Sequence, residues 1–138
     1  FGAIAQMSAN EIIDWYSSQR AYYSKTIIRL INELKEALPG IILSKPGAAI
    51  YIVLDFKNIT PSDFNASKFI DYCSLNGKVK INSRYYTLLL SPMRGFYNQK
   101  SKGKKQARIA LVEQESKMRM VPKILSRLLE NYLNSEKL

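Results

Sequence analysis

The sequence predicts a single α+β domain over residues 1–138, in which helices cover one face of a small, mostly antiparallel sheet of about three to four strands. Long runs with helical periodicity lie near both ends, and short runs rich in β-branched and aromatic residues lie between them. The last two of these short runs are joined by a loop, which favours antiparallel pairing. A hydrophobic content of 46% with 23% charged residues is typical of a folded globular domain.

A long N-terminal helix is predicted over residues 9–38. Its apolar residues recur mostly at spacings of three and four, with one seven-residue step across Arg20. Ser8, with Glu11 three residues later, has the pattern of a capping box. Pro39-Gly40 then ends the helix.

Three strands are predicted. "AAIYIVLDF", residues 48–56, is apolar on both faces and indicates a central strand buried on both sides. "RYYTLLL", residues 84–90, is a second strand, ended by Ser91-Pro92, and "QARIALV", residues 106–112, is a third. Residues 93–105 are polar, basic and contain glycine, so we expect a loop that joins the second and third strands into an antiparallel pair.

Two more helices are predicted. "TPSDFNASKFIDYCS" has Thr60 as a candidate N-cap, Pro61 at the first helical position and Asp63 in the first turn. A C-terminal helix spans about 115–135. Pro122 lies inside its pattern, so the helix should kink there or begin later.

Several site types are excluded by composition. The chain has no histidine, which rules out a histidine zinc site, a Ser-His-Asp triad and a Cys-His dyad within it. Cys73 is the only cysteine, so no internal disulfide can form, and we interpret it as a small buried apolar residue. Asp55, at the end of a strand, is either an acid in a cleft or a turn residue.

Location and completeness are also expectations at this stage. The longest apolar run, Ala48 to Leu54, is too short for a membrane span, so no membrane is expected as a partner. The first residues lack the basic and long apolar regions of a secretory signal, and we expect a cytoplasmic protein. The chain starts at Phe1 rather than at a methionine, so we expect it to be a fragment of a longer protein.

The positive charge is concentrated in one part of the chain. The net charge is +10, and no acidic residue occurs from Tyr72 to Val112. A positive potential there attracts phosphates, carboxylates or nucleic acid. One hypothesis is a small basic nucleic-acid-binding module using residues 78–108, in which Phe96 and Tyr97 stack on bases; the alternative is a solvated loop. The cations of this window are Lys78, Lys80, Arg84, Arg94, Lys100, Lys102, Lys104, Lys105 and Arg108.

Arg108 is the main candidate site residue. Side chains alternate along a strand, so Arg108 shares a face with Gln106 and Ala110. If that face is covered, the guanidinium needs an anionic partner, and no nearby acid in the sequence supplies one. A guanidinium can bind a carboxylate through two parallel hydrogen bonds. An exposed arginine on an open sheet face, or one paired with a distant acid, remains the alternative.

Three motifs together resemble the C-terminal small domain of class I pyridoxal-phosphate aminotransferases. "LPGIILSKPGAAIYIVLDF" resembles the family's helix end in L-P-G, followed by P-x-G-A-F-Y and an apolar strand. "LLLSPMRGFY" resembles its V-x-x-A-P-x-x-G-F-Y loop, and "ARIALVE" resembles its x-R-I-A-(Y/L)-V strand. Their order and separation match over nearly the whole chain. Ile50 replaces the usual phenylalanine, and residues 98–105 are richer in lysine than in the family, which leaves the substrate side-chain preference open.

The resemblance implies that Arg108 binds the α-carboxylate of an amino-acid substrate, with Phe96 and Tyr97 near the substrate entrance. It also implies that the pyridoxal-phosphate lysine and the other cofactor groups belong to an upstream large domain that this chain lacks. No catalytic, cofactor-binding or metal-binding residue is then expected here, and the isolated chain should be inactive. The full-length parent would be a homodimeric transferase of amino acid metabolism that moves an amino group between an amino acid and a 2-oxo acid, without nucleic acid as a partner.

Overall fold

The computed structural model describes residues 2–47, 50–99 and 101–136, and in these ranges helices cover one face of a four-stranded antiparallel sheet. A separate two-stranded hairpin completes the fold, which confirms the predicted α+β class. The helices are α1 (Gly2–Ala5), α2 (Ala9–Ala37), α3 (Ala66–Leu75), α4 (Glu115–Met118) and α5 (Val121–Ser135), with a 3₁₀ turn at Arg94–Phe96. The strands are β1 (Ile42–Leu43), β2 (Tyr51–Asp55), β3 (Val79–Ile81), β4 (Arg84–Tyr86), β5 (Ser91–Pro92) and β6 (Gln106–Ala110).

The four-stranded sheet has the order β1-β2-β6-β5, with every neighbouring pair antiparallel. In the centre, Val53 of β2 and Ser91 of β5 lie on either side of Arg108 of β6. Helix α3 packs against β5 and β6, and the core lies between the sheet and the helices. The side chains of β2 and β6 that enter this core are Ile52, Leu54, Ala107 and Ile109.

Strand β2 is central, as predicted, but the prediction that both of its faces are buried is wrong. Ile52 and Leu54 are buried, whereas Tyr51 is exposed and Val53 is only partly buried. Tyr51 and Val53 lie on the outer sheet face, opposite the helices. Ala48 and Ala49, which the prediction also included, lie outside the described residues.

Helix α2 begins at the predicted capping box. The Ser8 hydroxyl accepts a hydrogen bond from the Glu11 N–H, and the Glu11 carboxylate accepts one from the Ser8 N–H at 2.8 Å. The helix ends at Ala37, just before Pro39-Gly40. Its buried residues occur only in the second half, namely Thr26, Leu30, Ile31 and Leu34.

The predicted start of the next helix is wrong. Helix α3 begins at Ala66, and the Asn65 side chain caps it by accepting from the Ser67 N–H at 3.0 Å. The Thr60 hydroxyl instead donates to the Phe56 carbonyl at 2.8 Å and closes the preceding turn. Pro61 and Asp63 therefore precede the helix.

The predicted pairing of the strand at 84–90 is also wrong. It ends at Tyr86 and pairs with β3, because a tight turn at Asn82 and Ser83, with φ of 45° and 68°, folds the chain back. The sequence prediction did not include β3. Ser91-Pro92, expected only to end a strand, pairs with β6 as the short strand β5.

The last helical segment divides at Pro122 as predicted. Helix α4 ends at Met118, and α5 starts at Val121 with Pro122 in its first turn, where the missing N–H costs no helical hydrogen bond. Tyr132 of α5 packs against Phe64 and Phe69 at ring separations of 6.0 and 5.4 Å. No helix within the described ranges is both long and apolar enough to cross a membrane.

Candidate functional site

Arg108 lies in the middle of β6 on the outer face of the sheet. Its strand neighbours Ala107 and Ile109 face the core, so the alternation of side chains directs the arginine away from the helices. The sheet backbone on both sides fixes its Cα, because Val53 and Ser91 pair with it. The side chain is half-buried although no described helix covers this face.

Two aromatic rings supply that partial burial. The guanidinium carbon of Arg108 lies 4.5 Å from the centre of the Phe96 ring and 5.4 Å from the centre of the Tyr51 ring. Tyr51 is the diagonal neighbour of Arg108 on β2, and Phe96 comes from the segment between β5 and β6. Such cation–π contacts contribute about 0.5–1 kcal/mol each at exposed sites. They place aromatic carbon against the guanidinium, and no described residue accepts a hydrogen bond from its N–H groups.

The charge of Arg108 has no counter-ion within the described part of the chain. None of the ion pairs found there includes it, and its side chain makes no hydrogen bond to described residues. The residue as a whole is partly exposed. A half-buried cation without a counter-ion among the described residues is suited to bind an anion from solution.

A hydrogen-bonded chain of three side chains lies beside Arg108 on the same sheet face. The Tyr97 hydroxyl donates to Gln106 Oε1 at 2.7 Å, and Gln106 Nε2 donates to Asp55 Oδ2 at 2.8 Å. Asp55 is the last residue of β2, and its Oδ1 accepts the Lys57 N–H at 3.0 Å where the chain leaves the strand. Asp55 thus uses both oxygens as hydrogen-bond acceptors at the end of β2.

The segment between β5 and β6 is closed tightly around Tyr97. Gly103 adopts a φ of +73°, and a Cβ there would come within 2.8 Å of the Tyr97 ring and 3.0 Å of the Met93 carbonyl carbon. The Met93 N–H donates to the Gln106 carbonyl at 3.1 Å, and the Gln106 N–H donates to the Gly103 carbonyl at 3.0 Å. Residues 93–99 and 101–103 therefore belong to a loop fastened at Gln106.

The remaining candidate groups lie apart from Arg108 or are engaged elsewhere. Cys73 is 1% exposed, and burial raises the pKa of its thiol to about 12, so it is no nucleophile at neutral pH. Every described lysine is exposed except Lys105, whose ammonium donates to the Pro61 carbonyl at 2.6 Å. Among the described residues, no cluster of three or more histidine, cysteine or acidic side chains could hold a metal ion.

The structure brings two of the three predicted site residues together. Phe96 contacts Arg108, whereas the Tyr97 hydroxyl is directed to Gln106. The sequence reasoning did not identify Tyr51 or Gln106 as site residues. Strand alternation places Gln106 on the face of Arg108, but the position of Tyr51 depends on the register between β2 and β6.

Comparison with known proteins identifies no family for this chain, because no family model matches it and no curated protein matches it significantly.

Proposed function

We propose that the chain is the C-terminal small domain of a class I pyridoxal-phosphate aminotransferase, in which Arg108 binds the α-carboxylate of the amino-acid and 2-oxo-acid substrates. The observation that carries the proposal is the state of Arg108, which is half-buried, lies against Tyr51 and Phe96, and has no ion pair within the described chain. The three motifs that resemble this family include both Arg108 and Phe96.

The chemical role of Arg108 on this proposal is positioning. A carboxylate accepts two parallel hydrogen bonds from one guanidinium, which fixes the orientation of the attached carbon atom as well as its place. Holding the substrate in one orientation lowers the entropic barrier to reaction at its Cα–H bond. The sheet supports this role because Arg108 is fixed by strand pairing on both sides.

The described residues of this chain do not fit the cofactor itself. A Schiff-base lysine needs a shielded amine, but the described lysines are exposed or, for Lys105, already hydrogen-bonded to a carbonyl. We therefore assign the cofactor lysine to an upstream large domain of the same enzyme. On this proposal the parent is a homodimeric transaminase, and the present chain contributes the carboxylate-binding half of its site.

Replacing Arg108 by lysine in the parent enzyme tests the proposal. A lysine keeps the charge but cannot donate two parallel hydrogen bonds, and losing one such bond to a charged group costs about 1.5–3 kcal/mol. We expect kcat/KM for the amino-acid substrate to fall roughly ten- to a hundredfold. The absorbance of bound cofactor should stay unchanged.

The matched control is Arg84→Lys, because Arg84 is an exposed arginine in the β3–β4 hairpin, outside the sheet that carries the site. Its kinetics should equal those of the unmodified enzyme. If Arg108→Lys leaves kcat/KM unchanged as well, Arg108 does not bind the substrate.

A further inference from the structure

We propose that Tyr97 and Gln106 are positioning residues that hold the Phe96 ring against the Arg108 guanidinium through the chain Tyr97–Gln106–Asp55. The inference rests on the proposed function, since it explains how the Arg108 guanidinium is held in the conformation that binds a carboxylate. On this account Tyr97 acts on Arg108 through Phe96 and the loop, without touching the substrate.

Gln106 is the central residue of this hydrogen-bonded network. Both of its main-chain groups bind the loop ends, since its carbonyl accepts from the Met93 N–H and its N–H donates to the Gly103 carbonyl. Both ends of its side chain are used as well, one by Tyr97 and one by Asp55. Because Gln106 begins β6 and pairs with Asp55 at the end of β2, the loop is fastened to the two central strands of the sheet.

Tyr97 is connected to the Arg108 guanidinium through Phe96, the residue before it. The Tyr97 ring packs on Gly103, whose lack of a Cβ permits that contact, and its hydroxyl is held by Gln106. Phe96 is the preceding residue, and its N–H donates to the Met93 carbonyl at 3.0 Å, so its backbone is held from both sides. The Phe96 ring is 60% exposed and touches Arg108 on one face, so its position depends on this support.

Asp55 holds the far end of this chain through hydrogen bonds. Its carboxylate forms no ion pair with Arg108 within the described chain and accepts from Gln106 Nε2 and from the Lys57 N–H through separate oxygens. An asparagine has only one acceptor oxygen, so it could keep only one of these two hydrogen bonds. The oxygen of Asp55 that faces Gln106 therefore anchors the Gln106 amide to β2.

Restricting the Arg108 side chain should raise its affinity for a carboxylate. A side chain that is already held in its bound conformation loses less freedom when a ligand arrives, so its affinity is higher. Breaking the Tyr97–Gln106 hydrogen bond frees the loop, and Phe96 no longer restricts Arg108. Carboxylate affinity then falls even though neither Tyr97 nor Gln106 contacts the ligand.

Nuclear magnetic resonance of the Arg108 Nε–H group tests this in the ¹⁵N-labelled chain, with Arg108→Lys used to assign the signal. In the unmodified chain we expect a ring-current-shifted and motionally restricted Nε–H. Tyr97→Phe keeps the ring and removes only the hydroxyl, and it should move the signal towards that of exposed Arg84 and increase its motion. With pyruvate as the probe, the dissociation constant should rise roughly fivefold, as expected for one lost neutral hydrogen bond.

Two further variants make the result specific. Gln106→Ala should reproduce the effect of Tyr97→Phe, because it removes the acceptor of the Tyr97 hydroxyl. Tyr85→Phe is the matched control, since Tyr85 is an exposed tyrosine in the hairpin. The backbone amides of Ile52 and Leu54 report in each case that the core is intact.

The inference is overturned if both Tyr97→Phe and Gln106→Ala leave the Arg108 Nε–H shift and motion unchanged. It is likewise overturned if Tyr85→Phe has the same effect as Tyr97→Phe, because the change would then not depend on the hydrogen bond to Gln106. The proposed function fails separately: if pyruvate does not shift the Arg108 signal of the unmodified chain, Arg108 is positioned by this network but binds no carboxylate.

Discussion

Arg29 and Arg108 are both half-buried, but their charged groups have different neighbours. Arg29 contacts two carboxylates, with an ion pair to Glu115 and another to Glu33 at 3.5 Å. Arg108 has aromatic rings in place of carboxylates in its described surroundings. A half-buried arginine that serves only the fold is expected to be paired, as Arg29 is. On the proposed function, the partner that Arg108 lacks within the described chain is the substrate carboxylate.

The ion pairs of Arg29 predict a dependence of stability on pH. Hydrogen bonds from Arg119 and from Arg29 hold the pKa of Glu115 below its usual range. A carboxyl group whose pKa is lowered by folding stabilises the protein above its unfolded pKa, and this contribution is lost as the pH falls through the folded value. We expect Glu115→Gln to lower the urea midpoint at neutral pH and to reduce its fall on acidification.

Urea unfolding at a series of pH values measures this effect, with Glu130→Gln as the matched control. Glu130 is exposed on α5 and belongs to none of the ion pairs seen in the described ranges. Two results would show that the ion pairs of Glu115 with Arg29 and Arg119 do not contribute to stability. One is an equal loss of stability in both variants at neutral pH, and the other is the same acid dependence in Glu115→Gln as in the unmodified chain.

Helix α2 consists of two halves with different surroundings. From Thr26 onwards it packs on the core, where Leu30 and Leu34 are almost fully buried. Before Thr26 it has no buried residue, and Trp15 and Tyr16 are exposed. Most helical stability in proteins comes from tertiary packing of an apolar face, so only the second half should be strongly protected.

Hydrogen exchange of the α2 amides measures this difference. We expect amides before Thr26 to exchange through local opening, at a free energy well below that of global unfolding, and amides of residues 30–36 to exchange only near the global value. The amides of α5 provide the internal reference for global unfolding, because buried residues occur throughout that helix. Uniform protection along α2 would contradict the account of its first half.

Local signals predicted some element boundaries correctly and failed at others. The capping box at Ser8 and the break at Pro122 depend on residues within one helical turn, and both are confirmed. The prediction of where α3 begins was wrong because Thr60 and Asn65 are both residue types that cap helices well. A tertiary contact accompanies the observed choice, since the Ala66 N–H donates to the Lys104 carbonyl at 2.9 Å.

At the scale of the whole molecule, the sequence predicted the helix-covered sheet but not the construction of the site. Alternation along β6 separated Arg108 from the core residues without any knowledge of the fold. The position of Tyr51 beside Arg108 depends on the register between β2 and β6. The position of Phe96 depends on the hydrogen bonds that join Met93 and Gly103 to Gln106. Both are non-local contacts that hydrophobic periodicity does not specify.

The central claim is that Arg108 binds a carboxylate from solution, and titration of the labelled chain with pyruvate tests it most directly. Two hydrogen bonds to a charged group contribute roughly 3–6 kcal/mol, so we expect a saturable shift of the Arg108 Nε–H with a dissociation constant on the order of millimolar. Methyl pyruvate, which lacks the carboxylate, should cause no shift, and the Nε–H of exposed Arg84 should respond to neither compound. An Arg108 signal that does not move with pyruvate, or that moves equally with the ester, would contradict the claim.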